Sequence, residues 1–255
     1  MGNVAIVRPV SAAMARCELS FVERTPLDPP RAASQHQAYV GALRRRGCAI
    51  VELPALDEYP DSVFVEDTAL VFDELAVLTR PGAASRRGEV ASVAAALRAY
   101  RPLHGIDGEG TLDGGDVLRI GREVYVGRSA RSNDEGIAQL RSLLAAHGYR
   151  VHALDTRGCL HLKSAVTQVA EDTVLVQPAW LDPAPFTAMR IIEVHEDEEH
   201  AANALRVGGG IVYPDCFPRT LARLHATGVE ATTVDVSELQ KAEGAVTCCS
   251  LLVAT

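Results

Sequence analysis

Five short runs rich in β-branched residues, each halted at a Pro or an Arg, constrain this chain more than any other feature. They lie at residues 4–9, 77–81, 124–128, 174–178 and 211–214. β-Branched side chains favour extended backbone and Pro cannot continue a hydrogen-bonded ladder, so each run reads as a buried strand with a hard stop. The stops, at positions 9, 81, 128, 178 and 214, are 36 to 72 residues apart, and closing the circle through the termini gives a mean period near one-fifth of the 255 residues.

Each stop is followed by a helical stretch and then a second apolar run. The helix candidates are 31–46, 85–100, 133–147, 196–205 and 219–226, several with apolar residues at 3–4 spacing and a Ser, Asn or Asp placed to cap them. The second runs are 49–53, 102–104, 150–154, 191–194 and 231–236. Adding the strand before the next stop gives a ββαβ-type unit, and five such units close into a pseudo-fivefold α/β propeller whose loops at one end converge on the axis. A mixed α/β sandwich is the alternative. On either reading the chain is expected to form a single catalytic domain over residues 1–255.

Composition narrows the function. With 47% hydrophobic and 23% charged residues the chain is ordinary globular protein, and 25 basic against 33 acidic side chains leave a net charge of −8. That sign argues against a nucleic-acid partner and for a cationic small substrate. No apolar run approaches the roughly 20 residues that span a bilayer, and the first residues lack the pattern of a signal peptide, so neither a membrane nor export is expected. Six scattered cysteines without a CxxC pair suggest neither zinc nor disulfides, and read as reduced thiols in a cytoplasm.

The loops after the second runs carry the chemistry. The first holds Asp61, Phe64, Glu66 and Asp67, the second Asp113-Gly114-Gly115-Asp116, the third Leu160-His161-Leu162-Lys163 and the fifth Thr247-Cys248-Cys249-Ser250; the fourth module offers Asn203 and Gly208-Gly209-Gly210 without an obvious catalyst. Alone, each has a bland reading: a core histidine, a tight turn, a buried thiol in an apolar strand. At matching positions of a repeat they form a thiol, imidazole and carboxylate set suited to nucleophilic catalysis. If Cys248 and Cys249 lie in a strand they face opposite sides, and only one reaches the axis. His195 and His200 are five apart, which is not a HExxH spacing, and this segment reads as a solvated helix start.

In order along nearly the whole chain, Phe64-Val65-Glu66-Asp67, Thr79-Arg80-Pro81-Gly82-Ala83, Ser85-Arg86-Arg87, Thr111-Leu112-Asp113-Gly114-Gly115-Asp116-Val117, Leu160-His161-Leu162-Lys163-Ser164 and Val246-Thr247-Cys248-Cys249-Ser250 resemble the dimethylarginine dimethylaminohydrolase family of the guanidine-modifying (pentein) superfamily. The resemblance implies a five-bladed α/β propeller. It also implies hydrolysis of Nω-methylated arginines to citrulline and methylamine or dimethylamine, with no metal and no organic cofactor. By position it makes Cys248 the nucleophile with Cys249 a bystander, His161 the general acid and base, and Asp113 the carboxylate that orients it. It assigns Asp67 to the substrate guanidinium with Glu66 in support, Asp61 to the α-amino group, Arg86 and Arg131 to the carboxylate, and Phe64 to the substrate-binding set. Backbone carbonyls at Leu19 and Ala242 complete the amine site, Ala242 standing where a larger aliphatic residue is common. Leu19 falls in the most extended module, which predicts a mobile lid over the site.

These roles fit the substrate, a zwitterion joined to a cation, since each charge meets its opposite. The nearest rival is an arginine deiminase-like hydrolase acting on free arginine, against which the lack of room for an added helical domain weighs. An amidinotransferase and a non-catalytic propeller used as a binding module are further alternatives. The expected partner is the small substrate alone, with the protein a monomer or homodimer.

Overall fold

The computed structural model describes residues 3–255 and sets them in five three-stranded sheets. Strand β1 (Asn3–Val7) is followed by helix α1 (Pro29–Arg45) and β2 (Cys48–Glu52), and strands β3 (Ala69–Val71) and β4 (Ala76–Leu78) by α2 (Val90–Leu97) and β5 (Leu103–Gly105). Next come β6 (Val117–Ile120), β7 (Glu123–Arg128), α3 (Asp134–Ala145) and β8 (Arg150–Asp155). A short helix α4 (Leu162–Ala165) leads into β9 (Val166–Ala170), β10 (Thr173–Val176) and β11 (Arg190–Glu193). The last stretch holds β12 (Leu205–Val207), β13 (Gly210–Pro214), α5 (Pro218–Ala226), β14 (Ala231–Val234), the short α6 (Ser237–Gln240) and β15 (Leu251–Ala254).

In every sheet the middle strand is antiparallel to one neighbour and parallel to the other: β4 between β3 and β5, β7 between β6 and β8, β10 between β9 and β11, β13 between β12 and β14. The fifth sheet joins both ends of the chain, because β15 lies antiparallel to β1 with Leu251 opposite Ile6, while β2 runs parallel on the far side. The middle strands are the five anticipated β-branched runs, and their parallel partners are the second apolar runs.

Side-chain alternation makes the ring. In β1, Val4 and Ile6 enter the apolar cluster shared with Ala69 and Ala76, whereas Ala5 and Val7 enter the one shared with Val212 and Val234. In β10, Val174 and Val176 pack with Leu118, whereas Leu175 packs with Ile211 and Tyr213. Val77 meets Val124 and Val126 in the remaining cluster. Each blade thus gives one face to each neighbour, which is why its middle strand is apolar throughout rather than alternating with polar residues. The architecture is a pseudo-fivefold α/β propeller.

Helix ends follow local chemistry where the sequence is explicit. Asp28 caps α1 by accepting the Arg31 N–H at 3.1 Å, and Asn133 caps α3 by accepting the Gly136 N–H at 2.8 Å. Two expected helices differ. The 85–100 stretch divides into a 3-10 turn, Ala84–Glu89, and α2, because Arg86 turns back onto Glu89 three residues on, a spacing that eclipses in a threefold helix. The 196–205 stretch is not a helix. Glu198 is buried there and accepts the Arg219 and Thr220 N–H groups at 2.8 and 2.7 Å, satisfying the start of α5, so the segment is held as turns and is not a solvated helix start. The fourth blade crosses over through the 3-10 turn Ala184–Phe186. No helix among the described residues is long and apolar enough to cross a membrane.

Candidate active site

The loops that follow β2, β5, β8 and α6 meet at one end of the ring. Asp67 sits in a 3-10 turn just before β3, and its Oδ1 accepts the Gly115 N–H at 2.9 Å while Oδ2 receives Arg86 Nη1 at 2.6 Å. A Cβ on Gly115 would lie 2.4 Å from His161 Nδ1, and one on Gly114 1.9 Å from the Glu66 carbonyl oxygen. The Gly-Gly pair between Asp113 and Asp116 is therefore what lets three loops close on the axis.

His161 precedes α4 and points inward, with Nε2 3.2 Å from Asp113 Oδ2 and Nδ1 4.0 Å from Asp67 Oδ1. Asp113 is wholly buried and is fixed by the Gly82 N–H, 2.9 Å from its Oδ1. Asp116 holds the frame: Oδ1 accepts the Leu162 N–H at 3.0 Å, and Oδ2 accepts the Ser129 and Ser132 hydroxyls at 2.6 and 2.7 Å. Burial disfavours the charged imidazole, yet the carboxylates of Asp67, Asp116 and Asp113 outweigh it and raise His161 to about 9. Burial also opposes the Asp67 carboxylate, but the charges of His161 and Arg86 hold it down at about 2. At neutral pH the site holds an imidazolium among carboxylates.

Cys248 and Cys249 do not lie in a strand but in a turn ahead of β15, because the chain must leave α6 and bend into the ring. The turn still separates them. Cys248 is half-buried, lines the site and takes the Ala245 N–H at 3.4 Å on Sγ, whereas Cys249 is enclosed in the apolar core with its thiol 3.6 Å from the Ala245 carbonyl. Burial and then the anionic Glu66 and Asp67 push the Cys248 thiol up to about 12. Neighbouring Thr247 is clamped by Asn203, which donates to its hydroxyl at 2.9 Å and accepts its N–H at 3.1 Å. Asn203 and Asp116 are the supporting residues to which the sequence reading gave no role.

Asp61, Phe64, Asp67, Arg86, Arg131, His161, Ala242 and Cys248 line one narrow cavity of about 20 Å³. Asp113 stands behind His161. Leu19 does not reach the cavity; it packs on the apolar core, and its neighbour Glu18 lines the site instead. Glu66 lies below, ion-paired with Lys163 and receiving the Thr247 hydroxyl at 2.9 Å, at the head of an axial cavity of about 480 Å³ along the inner strands. Arg86 is largely engaged by protein, with Nη1 on Asp67, Nε and Nη2 on Glu89, and Nη2 also on the Phe64 carbonyl at 3.0 Å. Among the described residues, the Arg131 guanidinium donates only to the Ser20 hydroxyl, at 3.4 Å. Asp67, Asp113 and His161 could offer a cation one ligand atom each, all within 4.8 Å of one another, but they already bond to one another's neighbours.

Comparison with known proteins gives the same answer from a separate direction. Residues 25–253 match the family model described as N,N dimethylarginine dimethylhydrolase, eukaryotic. The N(G),N(G)-dimethylarginine dimethylaminohydrolase of Streptomyces coelicolor is 41% identical over 249 residues, covering 97% of this chain and 95% of that protein. The structure of a cysteine-to-serine variant of the Pseudomonas aeruginosa enzyme, complexed with citrulline, is similar with a TM-score of 0.93 and 33% identity, covering 99% of both chains. A histidine-to-glycine dimethylarginine dimethylaminohydrolase in adduct with S-methyl-L-thiocitrulline gives a TM-score of 0.94 at 33% identity, covering 99% of this chain and 100% of that one. With its five blades, its ring of acids around a histidine and its half-buried thiol, this chain belongs to the dimethylarginine dimethylaminohydrolase family.

Proposed function

We propose that the chain hydrolyses asymmetric dimethylarginine and monomethylarginine to citrulline and dimethylamine or methylamine, through a covalent intermediate on Cys248 in one catalytic propeller of residues 1–255. The observation that carries this is the convergence of a thiol, an imidazolium, carboxylates and a loosely held arginine on one cavity. Citrulline bound in one related structure and a thiocitrulline adduct in a second support the same reaction here.

Asp67 accepts the substrate guanidinium, keeping it protonated and aimed. The incoming cation offsets the negative field of Glu66 and Asp67, so the Cys248 thiol gives up its proton to solvent as substrate binds. The thiolate adds to the guanidinium carbon, His161 gives its proton to the methylated nitrogen, and the C–N bond breaks to release the amine. The thiouronium that remains is attacked by water. His161, now neutral, takes one proton from that water, the C–S bond breaks as the carbonyl forms and its second proton passes to solvent, and citrulline leaves with the thiolate restored. No step requires a metal or an organic cofactor.

Asp61 and the Ala242 carbonyl receive the α-ammonium, Phe64 walls the aliphatic chain, and Arg131 with Arg86 holds the carboxylate. The two arginines separate in an experiment. Arg131→Ala is expected to raise KM by the loss of one charge-assisted contact, about 1.5–3 kcal/mol, with the melting temperature unchanged. Arg86→Ala leaves Asp67 and Glu89 buried without their cation and should also cost about 3–5 kcal/mol of stability. Thermal unfolding beside steady-state kinetics distinguishes them, and an Arg86→Ala protein that melts like wild type would remove Arg86 from the frame.

The raised thiol sets a pH dependence. Below its pKa the thiolate fraction grows about tenfold per pH unit, so alkylation of Cys248 by iodoacetamide in the free enzyme should be slow at pH 7 and still rising steeply at pH 9. Peptide mass spectrometry reads this at Cys248 alone, and a plateau below pH 8 would show that Glu66 and Asp67 do not govern the thiol.

The substrate is a small arginine derivative, and we place the enzyme in a reducing cytoplasm as a monomer or homodimer, consistent with six free thiols. The reading is tested by supplying arginine, monomethylarginine and asymmetric dimethylarginine separately and measuring citrulline with ammonia, methylamine and dimethylamine. Dimethylamine equal to citrulline from the dimethylated substrate is expected. Citrulline and ammonia from arginine alone would assign an arginine deiminase-like activity.

A further inference from the structure

Among the described residues, Glu243 alone has a positive φ without being glycine, at 58°. It stands just past α6, where the Glu243 N–H bonds to the Gln240 carbonyl and the Gly244 N–H to the Leu239 carbonyl, both at 3.0 Å. That paired pattern ends many helices, and its left-handed position is usually taken by glycine because any Cβ is strained there. A strained residue that persists points to a use for its side chain.

The use is visible in the Glu243 carboxylate. It accepts the N–H groups of three consecutive residues at the other end of the chain: Ser20 at 3.0 Å, Phe21, and Val22 at 2.8 Å. The same segment is tied to the site by the Glu18 N–H on Asp61 at 3.2 Å and by Arg131 on the Ser20 hydroxyl at 3.4 Å. Bound substrate competes for those two ties, because its ammonium needs Asp61 and its carboxylate needs Arg131. The carboxylate of Glu243 is left to hold the segment down over a filled site.

Space gives the segment a reason to move. The cavity of about 20 Å³ is far below the roughly 300 Å³ at which small-molecule sites begin. Beyond Glu243, Gly244 and Leu160 lies a second cavity of about 310 Å³ bordered by Phe21 and Val22. Phe21 is 54% exposed, so little apolar packing holds it in place. Leu160, Glu243 and Gly244 border both spaces, so releasing the Glu243 carboxylate from residues 20–22 frees one wall between them and makes room for a ligand the size of arginine.

We infer that Glu243 is the latch of the lid, a positioning residue that holds residues 20–22 closed over the substrate site. The inference deepens the methylarginine reading for its effect on KM and is independent of it for its effect on the lid.

The test compares Glu243→Gly, which removes the carboxylate and relieves the strained φ, with Glu243→Asn, which tolerates that φ but offers a short neutral side chain. Both should melt no lower than wild type. In the ligand-free enzyme both should show amide exchange at Ser20, Phe21 and Val22 and iodoacetamide alkylation of Cys248 faster by about tenfold. KM for asymmetric dimethylarginine should rise about fivefold, with kcat within twofold. Glu243→Gln, which keeps an acceptor of the same length, should fall between these and wild type. Wild-type exchange and alkylation in Glu243→Gly would overturn the latch, as would loosening in Glu243→Gly alone, since that would be the flexibility of glycine. Absence of methylarginine turnover with a loosened lid would overturn the substrate reading and leave the latch standing.

Discussion

Turnover by Cys248→Ser is expected to fall on the order of 10⁴-fold or more, the scale on which enzymes lose rate when a covalent nucleophile is removed, while Cys249→Ser keeps most of it. The two thiols are adjacent in sequence but not in environment. Cys248 borders the cavity with Asp67 and His161, whereas Cys249 is enclosed by core residues and its nearest polar partner is a backbone carbonyl. Serine at 248 fits the space, but its hydroxyl is far harder to ionise beside Glu66 and Asp67 than a thiol, and His161 is already protonated and cannot serve as its base. Serine at 249 places a hydroxyl in an apolar pocket, and the expected cost is stability, about 1–3 kcal/mol, rather than chemistry. Activity and melting temperature of the two variants should therefore move in opposite columns. Equal residual activity would remove Cys248 from its role.

The second large effect concerns His161 and depends on the leaving group. With asymmetric dimethylarginine the departing amine needs a proton, and His161→Gly should lose both halves of the reaction. With S-methyl-L-thiocitrulline the departing thiolate needs none, so His161→Gly should still form the adduct on Cys248. Decay of that adduct requires a base for the attacking water. Asp113 stays bound to the Gly82 N–H behind the vacated position, and Asp67 keeps both oxygens on Arg86 and the Gly115 N–H, so neither is placed to take that proton. The adduct should therefore accumulate in single-turnover mixing, visible by intact mass, and added imidazole should restore part of its decay. Citrulline release at near wild-type rate by His161→Gly would make the histidine a packing residue.

How much of this the sequence discloses depends on how local the cause is. The middle strands were readable because each gives apolar residues to both faces over most of its length. The helices at 29–45 and 134–145 were readable because Asp28 and Asn133 cap them within three residues. The Asp113-Gly114-Gly115-Asp116 motif was readable because close approach at the axis admits nothing larger than glycine. Features set by distant partners were not. The turn at Cys248 depends on Asn203, 45 positions away, and the absence of a helix near Glu198 depends on α5 needing its carboxylate. Arg86 carries the charge expected of a carboxylate grip, but only the fold reveals that Asp67 and Glu89 already occupy most of its donors. The strain at Glu243 is invisible in composition, since glutamate is an ordinary residue at the end of a short helix until its φ is known.

The central claim, covalent catalysis by Cys248 on a methylated arginine, is tested most directly by rapid acid quench of the wild-type enzyme during turnover of asymmetric dimethylarginine, followed by peptide mapping with fragmentation between Cys248 and Cys249. A transient adduct on Cys248 is expected, with the mass of the substrate less dimethylamine, appearing before citrulline and disappearing as substrate is exhausted. Steady production of citrulline and dimethylamine with no such species on Cys248 at any quench time, in an enzyme shown to accumulate none by slow formation alone, or an adduct located on Cys249, would contradict it.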